Sequence, residues 1–135
     1  MIKLSKTLKS ERKAIKEIEP LMFDLRKKIH MRDDKFYNML IAVTEAVNNA
    51  IIHGNKCNPQ KEVIISIEGK TEEIIITIKD HGGGFDPSMV ADPRQPENLL
   101  KEHGRGIFLM KEISDQLSFR SNKSGTIVIL NFKIK

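Results

Sequence analysis

The chain has 135 residues, of which 39% are hydrophobic and 30% are charged, and this composition fits one globular domain and excludes a disordered polar chain. No apolar run reaches the roughly 18–20 residues that a membrane-spanning helix requires, and the basic N-terminus lacks the apolar stretch of a signal peptide. Cys57 is the single cysteine, so an internal disulfide is excluded and a reducing cytoplasm is the expected setting.

The net charge of +5 is unevenly distributed along the chain. Residues 1–35 contain 11 Lys and Arg against 6 Asp and Glu, whereas residues 36–135 contain 12 of each kind. No zinc or helix-turn-helix pattern accompanies the basic residues, so nucleic-acid binding is not indicated. The basic region is either a solvated helix face or a surface that docks an acidic protein partner.

In chain order, the alternation of Ile2 and Leu4 with polar residues predicts a short opening strand. Ser10 is placed to cap a first helix. Pro20 predicts a break or kink of this helix near Glu19. The helix carries an apolar stripe at 3–4 residue spacing, which indicates core packing or a dimer interface, formed by Ile15, Ile18, Met22, Leu25 and Ile29.

A second helix is predicted over residues 33–53, because two aspartates open it and Gly54 follows it. Two β-branched runs, at 63–67 and 74–78, then predict an antiparallel hairpin in a largely buried sheet.

The glycine- and proline-containing stretch 81–104 has little periodicity, and a loop this long is usually functional or mobile. It is followed by a predicted helix at about 106–117 and by strands at about 117–121 and 126–132. The order β-α-α-β-β-α-β-β predicts a single α+β domain over residues 1–135, built as a two-layer sandwich.

Glu45 and Asn49 of the second helix are separated by four residues, so their side chains point to the same spot one turn apart. One interpretation is a solvent-exposed polar stripe on an amphipathic helix. The other is a site that needs an acceptor oxygen for a hard cation and a nearby base. Helix geometry alone leaves both open.

Asp80 ends a hydrophobic strand and is followed by three glycines, which let the backbone approach a flat ring or a phosphate. Its carboxylate is suited to accept a hydrogen bond from an exocyclic amine such as that of adenine, although a glycine turn with an Asp cap has the same pattern. Thr126 in the last strand either directs its hydroxyl into this pocket or is an ordinary strand residue.

Gly104 and Gly106 precede the predicted third helix, and the free amides of a helix N-terminus form an anion site. Arg105 adds positive charge there. A plain helix start is the alternative, and the Walker pattern of P-loop proteins is absent from the sequence.

Three segments together resemble a known superfamily. E-A-V-N-N-A-I-I-H-G at 45–54 is similar to the N box, D-H-G-G-G-F at 80–85 to the D-x-G-x-G box, and G-R-G-I-F-L-M at 104–110 to the second glycine box of the histidine-kinase-like (GHKL, Bergerat-fold) ATPases. Gyrase, the Hsp90 chaperone, sensor histidine kinases and the mismatch-repair ATPase share this fold. Within it, the chain most resembles the small anti-sigma factor serine/threonine kinases.

This resemblance implies ATP as the ligand together with Mg²⁺, with Glu45 as the base or the residue that orients the nucleophile and Asn49 as the metal ligand. It also implies that Asp80 receives the adenine amine and that residues 86–103 form a lid. Other residues placed at the nucleotide are Gly82 and Gly84 at the adenine pocket, Gly104 and Gly106 at the phosphates, and Thr126 in support of Asp80. Candidates for further phosphate contacts are Lys101, His103 and Arg105.

The activity implied by the resemblance is that of an anti-sigma factor that binds a sigma factor and phosphorylates a Ser or Thr of a STAS-type antagonist protein. A homodimer is expected, with no direct nucleic-acid or membrane partner. Two alternatives remain. The chain is a nucleotide-gated binding module with little phosphotransfer, or it is the ATPase part of a sensor histidine kinase, which the absence of a phospho-acceptor helix pair disfavours.

Overall fold

A computed structural model describes residues 1–82 and 102–134, without the side chains of residues 102–104. In this part of the chain, an antiparallel five-stranded sheet of order β1-β2-β3-β5-β4 packs with one face against the helices. The elements are β1 (Ile2–Lys9), α1 (Ile18–Lys28), α2 (Asp33–Asn49), β2 (Glu62–Gly69), β3 (Glu73–Lys79), α3 (Glu102–Ile113), β4 (Gln116–Asn122) and β5 (Gly125–Lys133). The predicted α+β two-layer sandwich is therefore confirmed.

The hairpin of β2 and β3 is confirmed, but its burial is one-sided. In each strand every second residue is fully buried, and the residues between them are partly or fully exposed. This alternation is the pattern of an antiparallel sheet with one solvated face, not of a sheet covered on both faces. The buried hydrophobic residues are Val63, Ile65 and Ile67 in β2 and Ile74, Ile76 and Ile78 in β3.

The helix α2 lies across the inner face of the sheet and provides much of the core. Its apolar face is buried, with Phe36, Met39, Val43, Ala46 and Val47 each at 0% exposure. Its α-helical part ends at Asn49, and a π-helical turn, Ala50–Gly54, carries the chain on to the predicted end. Within the described ranges, no helix is both long and apolar enough to cross a membrane.

The predicted cap at Ser10 is wrong. Ser10 is fully buried, and its hydroxyl donates a hydrogen bond across to the Lys61 carbonyl at 2.6 Å. A 3₁₀ turn, Arg12–Glu17, follows, and α1 begins only at Ile18. Pro20 lies in the first turn of α1, where its missing N–H removes no helical hydrogen bond, so the predicted break corresponds to the boundary between the 3₁₀ turn and α1.

The apolar stripe of α1 packs into the chain's own core. Ile18, Met22 and Leu25 are buried against the other helices and the sheet, whereas Ile15 and Ile29 are partly buried at the edge of the same cluster. Of the two interpretations of this stripe, the structure thus supports core packing.

The predicted start of the third helix at Gly106 is also wrong, because α3 begins at Glu102. Gly104 and Gly106 are therefore inside the helix rather than before it. Glycine costs about 1 kcal/mol relative to alanine within a helix, but packing against α2 overrides this propensity. The helix ends at Ile113, earlier than predicted, and β4 begins at Gln116.

Candidate functional site

The carboxylate of Asp80 is buried where three backbone segments meet. Asp80 follows β3 and is 4% exposed. Its Oδ1 accepts hydrogen bonds from the Gly82 amide at 2.9 Å and the Thr126 amide at 3.1 Å, and its own N–H donates to the Thr126 carbonyl at 3.0 Å. These bonds hold the carboxylate in one orientation at the end of the β3–β5 ladder.

Glycines make this close approach possible. A Cβ at Gly54 would overlap Oδ2 of Asp80, and a Cβ at Gly82 would overlap the Gly54 carbonyl. Gly125 has φ +140, and a Cβ there would overlap the Asp80 carbonyl. Only glycine fits where backbone and carboxylate are this close. The surroundings of Asp80 therefore depend on three glycines from separate parts of the sequence.

The C-terminal end of α2 supplies one side of this corner. In the π-helical turn the Asn55 amide donates to the Ala50 carbonyl at 2.8 Å and the Cys57 amide to the Ile51 carbonyl at 2.7 Å. Lys56 and Cys57 then adopt positive φ values of 54 and 57, which turn the chain away. Such π-helical turns occur frequently at functional sites.

Glu45 and Asn49 face α3 at Gly106. A Cβ on Gly106 would lie 2.8 Å from Oε2 of Glu45 and 3.5 Å from both terminal atoms of Asn49. The structure thus brings together the two α2 side chains that their spacing placed on one spot, and it explains a glycine inside α3. The roles assigned to these residues remain predictions.

Asn49 carries the clearest sign of a ligand site. Its side-chain nitrogen is buried and has no hydrogen-bond partner within residues 1–82 and 102–134. A buried polar group without a partner costs about 1–3 kcal/mol, and such groups are rare in native proteins. An asparagine amide supplies both an oxygen ligand for Mg²⁺ and a donor for a phosphate oxygen, so the residues present fit the nucleotide and metal implied by the resemblance.

The predicted residues between Gly82 and Gly106 fall into two groups. Gly84, Lys101 and most of the predicted lid lie outside the described residues. His103 and Gly104 lie in the first turn of α3, and Arg105 is exposed in that turn. Residues 102–105 are thus helical, and Gly106 lies within α3.

Thr126 contacts Asp80 through its backbone, and the role assigned to its hydroxyl stays a prediction. Its backbone N–H donates to Asp80, whereas its hydroxyl lies 3.0 Å from the Ser121 hydroxyl in β4. In strand β5 the side chain and the backbone N–H point in different directions, and the ladder directs the N–H to the end of β3.

Sequence reasoning missed Asn55. This residue is 1% exposed, and its Oδ1 accepts a hydrogen bond from the His81 amide at 2.8 Å, beside Asp80. Gly54 was predicted only to end a helix, and Gly125 was given no role in the site. Their position in the sequence was the available signal: Gly54 ends the 45–54 segment and Asn55 directly follows it, and Gly125 directly precedes Thr126.

The sequence is similar to a known family over nearly its full length. Residues 6–132 match the model of the histidine kinase-like ATPase domain. An anti-sigma F factor of Clostridium perfringens (strain SM101 / Type A) is 38% identical over 98 residues, which are 69% of this chain and 69% of the relative. The serine-protein kinase RsbW of Oceanobacillus iheyensis is 28% identical over 100 residues, 70% of this chain and 63% of that relative.

Solved structures show the same fold. The RsbU and RsbW domains of a Mycobacterium tuberculosis protein match with a TM-score of 0.74 at 13% identity, covering 99% of this chain and 33% of that one. A blue-light activated histidine kinase of Erythrobacter litoralis matches with a TM-score of 0.62 at 14% identity, covering 90% and 41%. The domain match, the identity to the clostridial protein and this shared fold lead to one conclusion: the chain belongs to the histidine kinase-like ATPase family.

Proposed function

We propose that the chain is an ATP-binding anti-sigma factor with serine/threonine kinase activity. It would bind a sigma factor in the cytoplasm, phosphorylate a STAS-type antagonist and act as a homodimer. The observation that carries the proposal is the buried side-chain nitrogen of Asn49, which has no hydrogen-bond partner among the described residues and lies beside Glu45 and Gly106. The relatives named anti-sigma F factor and serine-protein kinase RsbW support the biological role.

Asp80 is the proposed receptor of the adenine amine. Its Oδ1 already accepts two backbone amides, and these bonds orient the carboxylate without using all its acceptor sites. A buried, oriented acceptor discriminates strongly between purines, because a base without the amine leaves the carboxylate unpaired. Gly82 and Gly84 would border the ring.

Asn49 is the proposed ligand of Mg²⁺, which would neutralise charge on the phosphates when it is bound. The phosphates would lie near the N-terminal part of α3, which includes residues 102–105. Side chains proposed for further phosphate contacts are those of Lys101, His103 and Arg105. Gly106 would contribute differently, by letting α3 approach Glu45.

Glu45 is the proposed base. Its carboxylate would take the proton of a Ser or Thr hydroxyl while the hydroxyl oxygen bonds to the γ-phosphorus. The bond from that phosphorus to the β–γ bridging oxygen breaks, and ADP leaves. Positioning by the site contributes most of the catalysis in such transfers, because the reaction needs little covalent help.

A nucleotide-gated binding module with little phosphotransfer is the second candidate. It is favoured by the packing of α3 over Glu45, whose Oε2 lies only 2.8 Å from a Cβ position at Gly106. A protein hydroxyl reaches Glu45 only if it approaches beside this helix. In this case ATP would change partner affinity without transfer.

The test combines the purified chain, ATP-Mg²⁺ and a STAS-type protein from the same genome. We expect phosphoserine or phosphothreonine by mass spectrometry, and loss of transfer by at least about 100-fold in Glu45→Gln. The exposed Glu112→Gln in α3 is the matched control. Equal transfer by Glu45→Gln and wild type would show the base assignment to be wrong, and nucleotide-dependent complexes without phosphorylation would favour the second candidate.

A further inference from the structure

The side chain of Asn55 connects three separate parts of the fold. Its Oδ1 accepts the His81 N–H at 2.8 Å, and its Nδ2 donates to the Ser10 hydroxyl at 2.8 Å and to the Glu62 carbonyl at 3.1 Å. The residue is 1% exposed, and Ser10 is 0% exposed. Asn55 is thus a buried amide with both its terminal atoms hydrogen-bonded.

The bond to His81 acts on the turn that orients Asp80. His81 lies between Asp80 and Gly82, and the Gly82 amide donates to Oδ1 of Asp80. Asn55 therefore holds the middle of a three-residue turn whose two ends are joined through the Asp80 carboxylate. The His81 side chain is exposed, so the backbone bond to Asn55 is the contact that fixes this residue from the α2 side.

We propose that Asn55 is a positioning residue for purine recognition, acting through the His81 amide on the orientation of the Asp80 carboxylate. This inference rests on the proposed role of Asp80 in binding the adenine amine. Asn55 touches neither base nor phosphate in this arrangement. Its effect is to keep one acceptor oxygen of Asp80 directed at one place.

The two ends of the Asn55 amide have separable roles. Oδ1 serves the site, whereas Nδ2 joins the end of β1 to the start of β2 through Ser10 and Glu62. The Ser10 hydroxyl also donates to Lys61, so Ser10→Ala weakens the structural end of the network and leaves the His81 bond in place. This difference separates positioning from stability.

The experiment measures calorimetric affinities for ATP and for inosine triphosphate, which has a carbonyl in place of the exocyclic amine. We expect Asn55→Ala to bind ATP about tenfold more weakly, which corresponds to about 1.4 kcal/mol of binding free energy. Its affinity for inosine triphosphate should change little. Asn55→Asp keeps an acceptor for the His81 amide and should preserve the preference for ATP. Ser10→Ala and the exposed Asn58→Ala should preserve it as well.

The ratio of the ATP affinity to the inosine triphosphate affinity is decisive, because destabilisation of the protein alone would lower both affinities equally. If Asn55→Ala does not fold, Asn55→Ser takes its place. The serine side chain is one bond too short to reach the His81 amide, but its hydroxyl keeps a polar group at this position. An unchanged ratio in the folded variant would overturn the inference while leaving the proposed function intact. Absence of ATP binding by the wild-type chain would instead overturn the proposed function.

Discussion

The Asp80 carboxylate packs directly against the backbone of Gly54, leaving no room for a Cβ at residue 54. Gly54 ends the π-helical turn that continues from α2, five residues after Asn49. This contact joins the proposed adenine end of the site to its proposed phosphate end through one continuous helix. Gly54, at the end of the segment that resembles the N box, therefore has a structural role beyond ending a helix.

Gly54→Ala should lower both stability and ATP affinity, because the new methyl group displaces the Asp80 carboxylate. We expect about 1–3 kcal/mol of destabilisation in urea unfolding, as for other overpacked sites. Gly69→Ala is the matched control, since its Cβ would overlap the flexible end of the Ile29 side chain and otherwise make an ordinary 3.5 Å contact with Ile2. Full ATP affinity in Gly54→Ala would contradict the assignment of Asp80 to the nucleotide.

Asn49→Ala should stabilise the nucleotide-free protein while abolishing magnesium-dependent ATP binding. The substitution removes a buried nitrogen that has no partner in the described part of the chain and introduces a better helix former, for a gain of about 0.5–1.5 kcal/mol. Urea unfolding without nucleotide measures the first effect and calorimetry with ATP-Mg²⁺ the second. Asn48→Ala, one position earlier on α2, serves as the control, and unchanged ATP affinity in Asn49→Ala would exclude the site.

Gly106→Ala tests the contact between α3 and Glu45. Alanine gains about 1 kcal/mol of helix propensity, but its Cβ would come within 2.8 Å of Oε2 of Glu45 and push this carboxylate aside. We therefore expect a fall in phosphotransfer of at least about tenfold with little net change in stability. A double-mutant cycle with Glu45→Ala should show that Gly106→Ala becomes stabilising once the carboxylate is gone; additive effects would mean that the two residues do not interact.

Much of this architecture can be predicted from local sequence patterns. The features that such patterns miss depend on contacts between residues far apart in the sequence. The β-branched runs and the apolar face of α2 predicted their elements because burial alternates with the period of each structure. Ser10 instead satisfies its hydroxyl at Lys61, and Asn55 bonds His81. Neither partner is close in sequence, so no local pattern reveals these bonds.

In the candidate site, too, some features follow from local sequence patterns and others depend on distant contacts. The i, i+4 spacing of Glu45 and Asn49 follows from helix geometry, and the structure brings both to Gly106. The start of α3 could not be read, because the packing of Gly106 on α2 outweighs the low helix propensity of glycine. The backbone bond from Thr126 to Asp80 depends on the pairing of β3 with β5. These strands are far apart in sequence, so a local pattern does not reveal the bond.

Asp115 should make stability depend on pH below neutrality. Partial burial opposes its ionisation, but hydrogen bonds from the Lys133 amide at 2.7 Å and the Lys35 ammonium at 3.1 Å outweigh this and lower its pKa below the ordinary 3.8. A carboxylate with a lowered pKa stabilises the fold above its unfolded pKa, and this contribution disappears as the pH falls through the folded value. Asp115→Asn should therefore cost about 0.5–1 kcal/mol at pH 7.

That difference should shrink as the pH falls below the ordinary aspartate pKa of 3.8 and through the lower pKa of the folded protein, where the wild-type carboxylate becomes protonated. Urea unfolding of both proteins across this range measures it. Asp24→Asn, which removes an exposed i,i+4 pair with Lys28, is the control and should show a smaller difference at pH 7. A constant difference at all pH values would mean that the bonds to Asp115 do not depend on its charge.

The basic residues of the 3₁₀ turn, Arg12–Glu17, are the surface that we expect to dock a protein partner. Arg12, Lys13 and Lys16 are exposed, while Ala14 between them is buried and anchors the turn. The turn borders a surface groove of about 340 Å³ whose lining includes Lys9, Lys13 and Lys16. Glu11 and Glu17 also line it and pair with Lys13 at 3.7 Å and Lys6 at 3.3 Å, which leaves part of the positive charge uncompensated.

Charge reversal at Arg12, Lys13 and Lys16 should weaken binding of an acidic partner by at least about tenfold, mostly through slower association that depends on salt. ATP affinity should stay within about twofold, because screening limits the reach of exposed charges to about 10 Å. Surface plasmon resonance at two salt concentrations, with calorimetry for ATP, measures both. Reversal of the exposed Lys27, Lys111 and Lys123 makes the same change in net charge elsewhere, so equal weakening by both triple variants would show that net charge, and not this turn, attracts the partner.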